Sequence, residues 1–217
     1  MHLRKVILAT LVLAMVAFAQ NPITADSPFQ VRYFANLTVG ESYIDFSNDG
    51  ANGCPLLGPG FGGASGNICV NVYAFSPDEQ EISCCSCLVT CNGLWNLGVN
   101  RDLTSNTLTG VIPSSVVVKL VATLAGTGGT GTSCTNSAAT ANTATLVSGM
   151  VAWGTTLHNA PPGVTTYHVT ETAFTPATLS AAELASIAGR CASILGNGST
   201  FGICKSCRMG GLGAVAQ

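Results

Sequence analysis

Charge is what this sequence has least of. Only 8% of its 217 residues are Asp, Glu, Lys or Arg, against roughly 25% in an ordinary domain. Nucleic-acid binders concentrate Lys and Arg on one face, and eight basic residues against ten acidic ones do not supply such a face. There is no Gly-x-Ser-x-Gly elbow, no His-Glu-x-x-His pair and no phosphate-binding loop, which removes the hydrolases and nucleotide enzymes built on those motifs. No repeat of fixed period is visible, and the nearest thing to one is the local clustering of cysteine. After the first nineteen residues no second long apolar run follows, so no transmembrane segment is expected once those residues are removed.

Those nineteen residues have the three parts of a secretory signal peptide. Arg4 and Lys5 form a basic start, Val6 to Val16 an apolar run, and Ala17-Phe18-Ala19 a small-residue cleavage motif. Cleavage is expected between Ala19 and Gln20, leaving residues 20–217 as one mature domain that is secreted, periplasmic or held at the cell surface. Six basic and ten acidic residues then remain, a net charge of −4. Gly, Ala, Ser, Thr and Asn cover the surface instead, a composition common in extracellular structural and adhesive proteins. The expected partners are further copies of the chain or components of an envelope or matrix.

Ten cysteines follow the signal, an even number: Cys54, Cys69, Cys84, Cys85, Cys87, Cys91, Cys134, Cys191, Cys204 and Cys207. In an exported chain they read as a disulfide framework. On a strand, Cys84 and Cys85 point to opposite faces while Cys85 and Cys87 share one, so the cluster should reach several partners. Cys54 and Cys69 flank a Gly/Pro-rich loop; pairing them would close about 15 residues and contribute ~3 kcal/mol. Cys204 or Cys207 is expected to bond Cys191 and tie the tail to a helix. The alternatives are a metal or iron–sulfur site at Cys84, Cys85, Cys87 and Cys91 with Cys204 and Cys207, or a redox pair in Cys204-Lys-Ser-Cys207.

Alternation predicts the strands. Val31, Tyr33, Ala35, Leu37 and Val39 fall on one face of a first strand, with Arg32, Asn36 and Thr38 on the other. A turn at Gly40-Glu41 leads to a return strand over Tyr43–Phe46. Further strands are read at Ile68–Phe75, Gln80–Cys87, Leu94–Asn100, Ser114–Leu124, Met150–Leu157 and Thr165–Phe174. The reading is mainly β: an antiparallel β-sandwich of about seven to eight strands with a disulfide-braced tail. One C-terminal helix is expected over about 181–195. It is opened by a Ser180-x-x-Glu183 capping box and carries an apolar stripe of Leu184, Ile187, Ala188, Cys191, Ile194 and Leu195.

Candidate functional groups are few. His158 and His168 are the two histidines beyond the signal; they sit on adjacent predicted strands, and with Glu171 they could hold a ligand or metal, or do acid–base work. Asp78, Glu79 and Glu81 make an acidic turn that could take calcium. Trp95, Trp153, Tyr73 and Tyr167 could stack on a sugar. Asn36-Leu-Thr38 and Asn197-Gly-Ser199 are glycosylation sequons. No cofactor, resident metal or catalytic residue is expected. The chain reads as an extracellular structural or interaction protein, with a carbohydrate-binding module as the alternative and a Cys-x2-Cys redox or metal-binding protein behind it.

The stretches Val31–Gly40, Asn71–Gln80, Ser83–Cys87 and Gly202–Arg208 resemble a group of secreted Cys-rich bacterial proteins with no assigned function. That resemblance implies export and a bacterial host, and brings no ligand or site with it.

Overall fold

The computed structural model describes residues 27–54, 66–136, 143–205 and 207–209. The expected signal segment with its expected Ala19–Gln20 cleavage point, most of the leader and most of the Gly/Pro-rich loop lie outside these residues. Two five-stranded antiparallel sheets pack face to face. The strands are β1 (Phe29–Phe34), β2 (Tyr43–Asn48), β3 (Ile68–Phe75), β4 (Glu81–Val89), β5 (Leu94–Gly98), β6 (Val116–Leu124), β7 (Met150–His158), β8 (His168–Ala173), β9 (Thr175–Pro176) and β10 (Arg208–Met209). The first sheet runs β4-β3-β6-β1-β9 and the second β10-β5-β2-β7-β8. Helix α1 (Ala181–Gly196) lies on the outer face of the first sheet. No helix among the described residues is long and apolar enough to cross a membrane.

β3 is buried at all eight positions because both of its faces are covered. Val70 and Val72 join Phe34, Ile44, Phe46, Leu97 and Leu120 between the sheets. Tyr73 and Phe75 point the other way, onto Leu184, Ile187, Ala188 and Ile194 of α1. The helix stripe read from sequence is therefore the stripe that is buried, except Leu195, which is exposed. Each such side chain contributes roughly 1.5–3 kcal/mol by leaving water. The Ser180 hydroxyl caps the helix by accepting from the Glu183 amide at 3.1 Å. The Glu183 carboxylate does not close the expected box: it accepts from Lys119 Nζ at 2.6 Å on β6, since a cation beneath the helix offers more than one backbone amide.

Two strand readings change. Gly40-Glu41 does not make a hairpin: β1 belongs to the first sheet and β2 to the second. β1 ends at Phe34 because Asn36 takes φ 59°, a left-handed conformation incompatible with a strand. The strand read as Leu94–Asn100 stops at Gly98 and becomes a π-helical turn, Val99–Thr104. Buried Asp102 holds that turn by accepting from the Gly98 amide at 2.7 Å, and Glu41 accepts from the amides of Asn100 and Arg101 at 2.7 and 3.0 Å.

All ten cysteines are paired. The bridges are Cys54–Cys91, Cys69–Cys134, Cys84–Cys191, Cys85–Cys204 and Cys87–Cys207. The β4 cluster splits by face as alternation requires. Cys84 lies opposite Tyr73 and bonds the helix, while Cys85 and Cys87 lie opposite Val72 and Val70 and bond the tail on the inter-sheet side. Two expected pairings are overturned. Cys54 does not bond Cys69, which points to the outer face of the first sheet, where the segment carrying Cys134 crosses it. Neither Cys204 nor Cys207 bonds Cys191, because β4 stands between helix and tail and takes both. Loop length governs entropy in the unfolded chain, whereas Cβ direction selects the native partner.

The tail also covers a sheet edge. The amide of Cys84 donates to the Gly202 carbonyl at 2.9 Å, and the Cys204 amide donates to the Cys84 carbonyl at 3.1 Å. One flank of the sandwich is thus stapled by two cystines. At the other the chain crosses from β8 to β9, where Phe174 packs on Phe34 with ring centroids 5.9 Å apart and β9 covers only the first part of β1. Non-reducing peptide mapping should recover Cys54–Cys91 and Cys84–Cys191. Replacing Cys84 and Cys191 together by Ala should leave both sheets formed while lowering stability by about 2–5 kcal/mol in chemical denaturation; recovery of a Cys54–Cys69 peptide would contradict the assignment.

Candidate ligand-binding cleft

The flank without cystines carries the most unusual side chain in the molecule. Along β1 two apolar residues, Val31 and Tyr33, do not face the inter-sheet core: Tyr33 is 59% exposed and Val31 half-buried, whereas Gln30, Arg32 and Phe34 point between the sheets. The direction is set by neighbours. Gln30 Nε2 donates to the Met150 carbonyl at 2.7 Å, and Phe34 joins the core. Arg32, lying between them in the alternation, has to follow.

Arg32 is only 8% exposed. Its Nε donates to Thr172 Oγ1 at 3.1 Å and its Nη2 to Thr156 Oγ1 at 3.2 Å. The guanidinium lies 4.3 Å above the Phe34 ring. Nη1 has no hydrogen-bond partner among the described residues. It rests over Gly154, where a Cβ would come within 2.3 Å of it, so this position needs glycine for close approach. No carboxylate among the described residues pairs with Arg32; the ion pairs there are Arg101–Asp102 and Lys119–Glu183. Burial pushes its pKa below the ordinary arginine value, yet arginine stays charged in proteins.

A cleft of about 660 Å³ opens beside this group, lined by Arg32, Tyr33, Thr156, His158, Thr170 and Thr172 among others. One wall is a free strand edge. β9 pairs with β1 only at Gln30 and Val31. The Phe29 carbonyl accepts from the Ala177 amide on that side. Alternation then turns the N–H and C=O of Tyr33 to the same side, where no described strand continues.

The histidine–carboxylate group expected from sequence is only half assembled. His158 and His168 are register partners on β7 and β8, and His158 Nε2 lies 2.9 Å from Thr170 Oγ1. Glu171 pairs with Thr155 on the opposite face of the sheet, because one residue of offset reverses a side chain. It cannot orient either ring. The sulfur-based sites are not assembled either: Cys204 and Cys207 bond Cys85 and Cys87 separately, so they are not a redox pair, and every thiol of the supposed metal cluster is in a disulfide. The acidic turn is dispersed. Asp78 accepts from the Ser76 hydroxyl, and Glu81 is buried away from it.

Of the four aromatic residues expected to stack, Tyr73 is fully buried with its hydroxyl donating to Asn136 at 2.8 Å, and Trp95 packs against the inter-sheet core. Trp153 is half-buried on the outer face of the second sheet, and Tyr167 is exposed. Tyr43, exposed on the same outer face, lies diagonally across from Trp153, with Asp45 opposite that tryptophan. Asn96 donates to Asp45 at 2.9 Å.

No family model, curated protein or solved structure matches this chain.

Sequence reading missed Arg32 because it was assigned to the polar face of its strand. It placed Glu81 in a solvent-facing acidic turn, whereas the side chain is 5% exposed with neither carboxyl oxygen bonded among the described residues. Desolvation pushes the Glu81 carboxyl up to about 8, against the pull of Arg190 and Lys119. Folded protein therefore holds a proton that the unfolded chain releases near the ordinary carboxylate range. The stabilisation is complete below that range and is lost as pH rises through about 8. Between about pH 5 and 8 stability should fall by up to ~1.4 kcal/mol per pH unit from this group. Glu81→Gln should flatten that slope in urea denaturation; an unchanged slope would contradict it.

Proposed function

We propose that this is an exported, disulfide-braced interaction module that binds an extended segment of a partner protein by strand addition along the open edge of β1. The observation that carries the reading is the Tyr33 edge beside a buried Arg32 that no carboxylate among the described residues neutralises. A strand edge offers main-chain bonds to any extended chain, and alternate side chains of that chain enter the cleft. Sheets normally blunt such edges, as the tail does along β4. Five disulfides and the resemblance to secreted bacterial proteins support work outside the cell, in the periplasm or at the surface. Binding fits the cleft better than catalysis: His158 touches a threonine hydroxyl, and no carboxylate among the described residues orients it.

The test uses a displayed library of strand-forming peptides selected on the oxidised mature protein and on Tyr33→Pro. Proline removes the Tyr33 amide, which faces the open edge and not β6, so the sheet should survive. Peptides should be enriched on the native protein and not on the variant. Equal enrichment on both would sink the proposal.

A second reading rests on the outer face of the second sheet, where Trp153 and Tyr43 with the Asn96–Asp45 pair form a flat platform suited to a neutral sugar. Here Trp153→Ala should reduce retention on immobilised polysaccharide about tenfold or more without altering peptide selection. A glycan array lacking hits would dispose of it.

A further inference from the structure

We infer that the segment taken up along β1 is acidic: it places an Asp or Glu carboxylate next to Arg32. This rests on the strand-addition reading and goes one step further, to the chemistry of the partner.

The argument begins with charge. A guanidinium removed from water is costly unless an opposite charge or a full set of acceptors replaces the water. Arg32 has two threonine hydroxyls and one aromatic face, with Nη1 left over. The fold could have placed a carboxylate nearby, and the closest candidate in sequence register, Glu171, faces outward. No carboxylate among the described residues supplies the counter-charge, and the ligand is assigned that part.

Position follows from the strand geometry. A chain lying beside β1 in the line of β9 alternates its side chains across the sheet. In that register the position directly across from Arg32 is held by Phe174 of this chain, 3% exposed in the inter-sheet core. The segment therefore enters opposite Tyr33, and its next inward residue lies diagonal to Arg32, roughly 7–8 Å away and within reach of a long side chain. Its carboxylate then meets three things. One is the guanidinium. The others are the Thr156 and Thr172 hydroxyls, which accept from Arg32 and keep their own protons to donate. Further along, Thr170 and His158 line the cleft for the inward residue beyond it. A charge-assisted bond of this kind is shorter and about twice as strong as a neutral one.

Two peptides separate the possibilities: acetyl-Thr-Val-Glu-Val-Thr-amide and its Gln counterpart. Both are titrated into the oxidised mature protein, following exchange protection of the Tyr33 amide by NMR. The Glu peptide should bind about tenfold tighter or more, and Arg32→Met should abolish the difference. Because the variant loses an unpaired buried charge, it should fold with at least the native melting temperature when unliganded. Thr172→Val, which keeps the arginine, should narrow the difference. If both peptides protect Tyr33 equally, strand addition stands and the acidic preference is wrong. If neither does, the strand-addition reading itself fails. Should sodium glucuronate bind more tightly than the Glu peptide, the cleft takes acidic sugars and the inference is overturned. A large loss of stability in Arg32→Met would show a structural arginine and overturn it as well.

Discussion

Strand β4 is the member on which the other layers hang. It carries Cys84 on the helix side and Cys85 and Cys87 on the inter-sheet side, and the three bridges span 107, 119 and 120 residues of chain. Each alone would remove about 4–5 kcal/mol of unfolded-state entropy in the chain-closure model; nested loops share part of that. The consequence is positional. Helix, first sheet and tail become one braced unit, and the tail that results covers the edge of β4 and closes one flank of the sandwich.

Irregularity collects at the opposite flank. There the chain crosses from β8 to β9 through Phe174, and β9 covers only the first part of β1. The core thins from Phe34 outward into threonine hydroxyls, a histidine and a buried arginine. A structure built only for stability would fill this end with apolar side chains, which usually do as well as a buried ion or better. Retaining a charge there favours specificity over stability, as sites for ligands commonly do.

Glu81 is the matching case at the helix side. It sits in a second cleft of about 610 Å³ with Gln80, Arg190, Ser193 and Asn197, and desolvation keeps it protonated near neutrality. Arg32 and Glu81 lie on different layers and are not partners. Each is an ionisable group drawn inward by the alternation of a strand whose adjacent residues had stronger reasons to be where they are.

Much of the architecture was legible in the residues. Alternation marked the long strands, the Ser180 cap and the 3.6-residue stripe marked the helix, and the adjacency of Cys84, Cys85 and Cys87 required bonds to both faces of one strand. Those are local rules: backbone period, hydroxyl capping and side-chain direction act over a few residues. Tertiary packing alone decided the rest. It chose which sheet β1 and β2 join, which cysteines come within bridging range, and which way Arg32 turns. A period of two says that neighbours face apart, but not which face is inside; that is fixed by what the opposite sheet presents, here the Met150 carbonyl, Gly154 and the Thr156 hydroxyl, more than a hundred residues away in the chain.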